Sequence, residues 1–201
     1  MSDFDLNIHT ARLLMDEPFF AAISRRIDKR ASFAVPTAGV MVNPDTAQFE
    51  MLYNPEFFEK LTDDERRDVL KHEFYHVVFL HVTGRLPEGI NMKLWNVATD
   101  LAINSHLYNL PAGGLIPGEG PFVNLPRGQS AEWYLANMPD FGKGSGDGSK
   151  SDSEGGSNTP DGDPPSGQNS QGESPSPPAD GIPDSLDDHS GWGNCDQDVK
   201  D

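Results

Sequence analysis

The composition of this chain changes at about residue 139, and the change limits what can fold. From Asp140 to Asp201 the sequence is dominated by Gly, Ser, Pro and Asp, with too few apolar side chains to offset the entropy of ordering a backbone. Most of any hydrophobic core should therefore come from residues 1–139, a length that suffices for one domain. We expect a folded domain over 1–139, a disordered Gly/Ser/Pro/Asp-rich linker over 140–183 and a short acidic tail over 184–201.

Charge follows the same division. Residues 1–139 carry 18 acidic and 12 basic side chains, net −6, and residues 140–201 carry 14 and 3, net −11, of the −17 total. An acidic tail of this kind argues against nucleic acid and an anionic membrane surface as its partners. The single cysteine, Cys195, permits no intrachain disulfide and gives no sign of secretion. The start, MSDFDLNIHT, lacks the basic and apolar regions of a signal peptide, and no stretch approaches the ~18 consecutive apolar residues of a membrane span. The expected location is the cytoplasm.

Within the first 139 residues, apolar positions from Leu6 to Ile27 recur at helical spacing, with a break at Asp16-Glu17-Pro18. This predicts two short helices between Asp5 and Arg30. The run AGVMVNPDTAQFEMLY predicts a hairpin of Val40 to Val42 and Phe49 to Tyr53 around Asn43-Pro44-Asp45-Thr46. Asn54-Pro55 reads as a helix cap followed by a first-turn proline. Thr62-Asp63-Asp64-Glu65 is a capping box, so a longer helix should start near Asp63 and run to about Thr83, with Gly84 as its stop. Further helices are predicted from Met92 to Tyr108 and from Ser130 to about Met138, separated by a Gly/Pro-rich loop. Strands and helices do not alternate, so the expectation is an α+β fold, mainly helical, with a small hairpin and no parallel sheet.

The predicted helix over Asp63–Thr83 carries KHEFYHVVFLH, which holds three of the chain's six histidines. Residues four apart share a helix face, so His72 and His76 can direct both imidazoles at one ion. Glu73, rotated by about 100° from His72, can stand beside the ion rather than bind it. That division suits hydrolysis. Zinc brings the pKa of a water to roughly 7, and the carboxylate takes the proton as that water attacks a carbonyl. The competing reading is a helix whose histidines are merely hydrogen-bonded or exposed. A di-iron reading of Glu73-x-x-His76 needs a second Glu-x-x-His on another helix, and the sequence has none.

A catalytic zinc usually takes three protein ligands. His81 lies nine residues beyond His72, which on a continuous helix turns it by about 180° and raises it by about 13 Å. No Gly or Pro in Val77-Val78-Phe79-Leu80 suggests a break there, and His81 reads equally well as a C-terminal cap. On the next helix Asn96, Asp100 and Asn104 recur at spacing four among apolar residues. Such a stripe must be satisfied by something. It could be Asp100 as a metal ligand with Asn96 and Asn104 orienting its neighbours, or a purely structural hydrogen-bonded stripe. His106 lies about 240° around from Asp100 and is not expected at the metal; His9 and His189 are read as uninvolved.

Taken together, LLMDEPFFAAI, LYNPEFFEKLTDDERRDVLKHEFYHVVFLH, LWNVATDLAIN and LPRGQSAEWY resemble a family of bacterial and phage metallopeptidase domains often found ahead of a von Willebrand factor A-like domain. The resemblance covers residues 8–138. It implies a zincin-like fold, zinc on His72 and His76, Glu73 as catalytic base, a third ligand at Asp100 or His81, and a peptide or protein substrate. It also implies an AAA-type ATPase or von Willebrand A-like partner, beside which the domain would be either an enzyme or a catalytically silent metal-binding module. Asp187, Asp188 and His189 could bind a cation or dock on the catalytic domain, but such clusters in acidic tails are usually solvated.

Overall fold

The computed structural model describes residues 4–139, 141, 182, 183 and 185. Most of the expected linker and tail, including the Asp187–His189 cluster, lies outside the described residues. The chain divides into two units, Met1–Pro139 with Asp184–Asp201, and Asp140–Pro183; the elements below belong to the first.

Helix α1, Leu6–Asp16, starts at Asp5, whose carboxylate accepts from the Asn7 amide at 2.9 Å. It buries Leu6 and Leu13. A short helix α2, Phe20–Ser24, follows. The second helix expected to reach Arg30 stops here, and Ile27–Ala31 is instead a strand, β1. It pairs parallel with β3, Phe49–Tyr53, which pairs antiparallel with β2, Ala38–Val42. The order is β1-β3-β2, so the predicted hairpin is present and the expectation of no parallel pairing is corrected. The reason is tertiary. Only Ile27 of β1 is fully buried, so its pattern is too weak to read, and its partner lies about twenty residues away. Pairing sets Arg30 3.1 Å from Glu50, while Lys29 donates to the Ser24 carbonyl at 2.7 Å and sits over the Phe74 ring.

The hairpin turn is held by Asn43, whose Oδ1 accepts from the Asp45 and Thr46 amides at 2.9 and 3.2 Å, an Asx turn. Helix α3, Pro55–Lys60, is capped by Asn54. The capping box then opens α4, Asp63–Val78: Thr62 Oγ1 accepts from the Glu65 amide, and Glu65 Oε2 accepts from the Thr62 amide. Its Val69, Leu70 and Phe74 are buried, as are Asp68, His72, Glu73 and His76. It packs on α1, α2, β2 and α5.

Helix α5, Met92–Asn104, is capped by Asn91 and buried over most of its circumference, as an apolar helix inside a core must be. It ends short of the expected Tyr108. Beyond it, Asp68 of α4 accepts from the amides of Tyr108 and Asn109 at 3.1 and 2.8 Å, which satisfies that buried carboxylate. After a 3-10 turn at Gly120–Phe122, α6, Ala131–Asn137, starts at Ser130 and packs on α5. Tyr134 of α6 donates to the Pro126 carbonyl at 2.7 Å and lies 2.9 Å from Ser105 Oγ. Among the described residues there are six α-helices and one three-stranded sheet. The fold is α+β, and none of these helices is long and apolar enough to cross a membrane.

Candidate metal centre

Spacing on α4 brings the His72 and His76 rings together, their Nε2 atoms 2.9 Å apart. From α5, Asp100 Oδ1 lies 3.6 Å from His72 Nε2 and 3.5 Å from His76 Nε2. The side chains of His72, His76 and Asp100 are 6, 0 and 1% exposed, respectively. Their three donor atoms lie within 4.8 Å of one another and could hold a metal ion.

Hydrogen bonds behind the rings decide which nitrogens face inward. Asn104 Nδ2 donates to the Leu115 carbonyl at 2.8 Å, so its Oδ1 is the atom 2.7 Å from His72 Nδ1. An amide oxygen only accepts, so His72 carries its proton on Nδ1 and turns the Nε2 lone pair toward the cluster. His76 Nδ1 is 3.3 Å from His81 Nδ1, which suits the same tautomer, Nδ1–H donating outward. Two nitrogen lone pairs at 2.9 Å repel unless a proton or a cation lies between them. The donor spacing fits a cation: bonds of about 2.0–2.1 Å at tetrahedral angles place ligand atoms about 3.3–3.4 Å apart. A buried carboxylate here, without a compensating charge, costs several kcal/mol.

His81 corrects the reading of a continuous helix. The α-helix ends at Val78, and Leu80, at φ 58°, takes a left-handed conformation. The His81 amide bonds the His76 carbonyl at 3.0 Å and the Leu80 amide bonds that of Val77 at 3.2 Å, which is a Schellman motif. This turn carries His81 back beneath His76, where it is 1% exposed and meets Trp95 edge-on. Trp95 Nε1 donates to the His81 carbonyl at 3.4 Å. His81 thus lies against the outer nitrogen of His76, away from the three converging donors.

Glu73 is buried beside His72, and both line a pocket with Thr37, Ala38, Phe57 and Asn104. Asn96 plays no visible orienting part, since its buried Oδ1 has no hydrogen-bond partner among the described residues. His106 is exposed. His9 stacks on Phe4, 3.7 Å from Asp63; burial, followed by Arg66, holds its pKa below the usual value despite the carboxylate. Two contacts escaped the sequence. The role of His81 depends on a left-handed leucine, and Ser185 Oγ donates to Asp100 Oδ2 from 85 residues away. No local pattern signals either.

Two imidazoles one helical turn apart and a carboxylate from a neighbouring helix form a donor set that could hold a metal ion. Residues 4–182 match the family described as "Putative metallopeptidase domain", and the chain belongs to that family. Comparison with curated proteins and with solved structures gave no match. The family and the His/His/Asp cluster together point to a metal-dependent hydrolase.

Proposed function

We propose that this domain hydrolyses peptide bonds, with zinc held by His72, His76 and Asp100 and with Glu73 as general base, on a zincin-type arrangement of helix and small sheet. The observation that carries the reading is the convergence of two Nε2 atoms and Oδ1 of Asp100, with Asn104 behind His72 and His81 behind His76. Zinc, when bound, would polarise the scissile carbonyl and acidify the attacking water. Glu73 takes the proton from that water and returns it to the leaving amine. Asn104 keeps the His72 proton on Nδ1, and the His81 contact suits the same tautomer of His76.

Metal analysis of the purified protein, with cleavage of a peptide library, tests this. His72→Ala and Asp100→Ala should lose zinc. Glu73→Gln should keep it and lose at least about 10²-fold in kcat. A protein that purifies without a divalent metal and takes none up sinks the reading. Stoichiometric zinc without turnover of any peptide points instead to a silent metal-binding module.

A further inference from the structure

Resting on the zinc reading above, we propose that Ser185 is a positioning residue of the metal centre, its hydroxyl engaging one oxygen of Asp100 so that the other is left for the metal. Ser185 Oγ donates to Asp100 Oδ2, while Oδ1 of the same carboxylate faces His72 and His76 Nε2 at 3.6 and 3.5 Å. A carboxylate can present either oxygen, or both, by rotating about its last bond. Donation to Oδ2 draws on its lone pairs and favours ligation through Oδ1 alone. Each of the three side chains then has its outward polar atom held: His72 by Asn104, His76 by His81 and Asp100 by Ser185. Such outer partners set ligand orientation and basicity, and removing one typically lowers metal affinity 10- to 100-fold.

Ser185 lies beyond residues 4–182, which carry the family match, and on the far side of the Gly/Ser/Pro-rich stretch. The centre is thus completed by a residue outside the segment that carries the histidine motif. A domain cut at residue 139 would lack that hydroxyl.

The test uses the full chain as Ser185→Ala and Ser185→Thr, with zinc affinity measured by competition with a chromophoric chelator and with thermal unfolding of the metal-free proteins. Ser185→Ala should bind zinc about 10-fold more weakly, Ser185→Thr should retain wild-type affinity, and the metal-free melting temperatures should coincide. With cobalt(II) in place of zinc, the visible bands of Ser185→Ala should weaken as Oδ2 joins the metal and the coordination number rises. Unchanged affinity and spectrum in Ser185→Ala overturn the proposal. So does a loss in Ser185→Thr equal to that in Ser185→Ala, or a weakening matched by a drop in metal-free stability, which marks a structural role. Wild-type protein that binds no zinc refutes the metal reading itself, a different failure from wild-type binding that Ser185→Ala leaves intact.

Discussion

At Leu80 a leucine occupies a backbone conformation that side chains with a Cβ avoid, at φ 58°, which costs roughly 1–2 kcal/mol. The expense has a visible return, since this residue turns the chain so that His81 reaches His76. Leu80 is 50% exposed, so its side chain contributes little burial. Replacing it with glycine removes the steric cost, whereas a β-branched residue raises it. In urea unfolding, Leu80→Gly should be as stable as wild type or more so, and Leu80→Ile less stable by about 1 kcal/mol or more. The reverse order would mean that the leucine side chain, not the backbone turn, is what matters. The sequence gives no warning of this residue, because stop signals are read from Gly and Pro and the nearest, Gly84, is not the one used.

The two ends of α4 differ in what fixes them. Its start is local: Thr62 and Glu65 satisfy each other's amides within four residues, so the boundary is legible. Its end is fastened from afar. Arg85 donates to the Phe79 carbonyl at the helix C-terminus at 3.3 Å, and the same side chain makes a two-pronged ion pair with Glu132 of α6. Burial by itself would push the Glu132 carboxyl up, but the Arg85 hydrogen bond, with weaker help from its own backbone amide and from Ser130, holds it below the usual 4.5. A depressed carboxylate stabilises the fold above its unfolded pKa, and the contribution disappears as pH falls through the lower folded value. Glu132 is half exposed, so screening keeps the effect below about 1 kcal/mol. The stability gap between wild type and Glu132→Gln, measured by chemical unfolding, should be present near neutral pH and close as pH falls below 4.5. A gap that persists unchanged in strong acid would remove Arg85–Glu132 as its cause.

At the scale of the molecule, two successive helices supply one cluster, so an ion bound there would cross-link α4 to α5 and should stabilise the whole domain. A ligand at 1,000 times its Kd adds about 4 kcal/mol. Chelation of the purified protein should therefore lower Tm by several degrees, and added zinc should restore it. Identical melting curves with and without chelator would exclude a structural contribution from any metal. What the sequence by itself determined was whatever depends on neighbours along the chain: the caps, the hairpin turn, the helical spacing of His72 and His76, and the polar stripe carrying Asp100 and Asn104. Periodicity and capping act over a few residues, so they can be read directly. Tertiary structure alone decided the rest. Strand β1 exists through pairing with β3, His81 turns inward through a strained leucine, and Ser185 reaches Asp100 across 85 residues. Contacts of that kind depend on how elements pack, and packing leaves no mark in any short window of sequence.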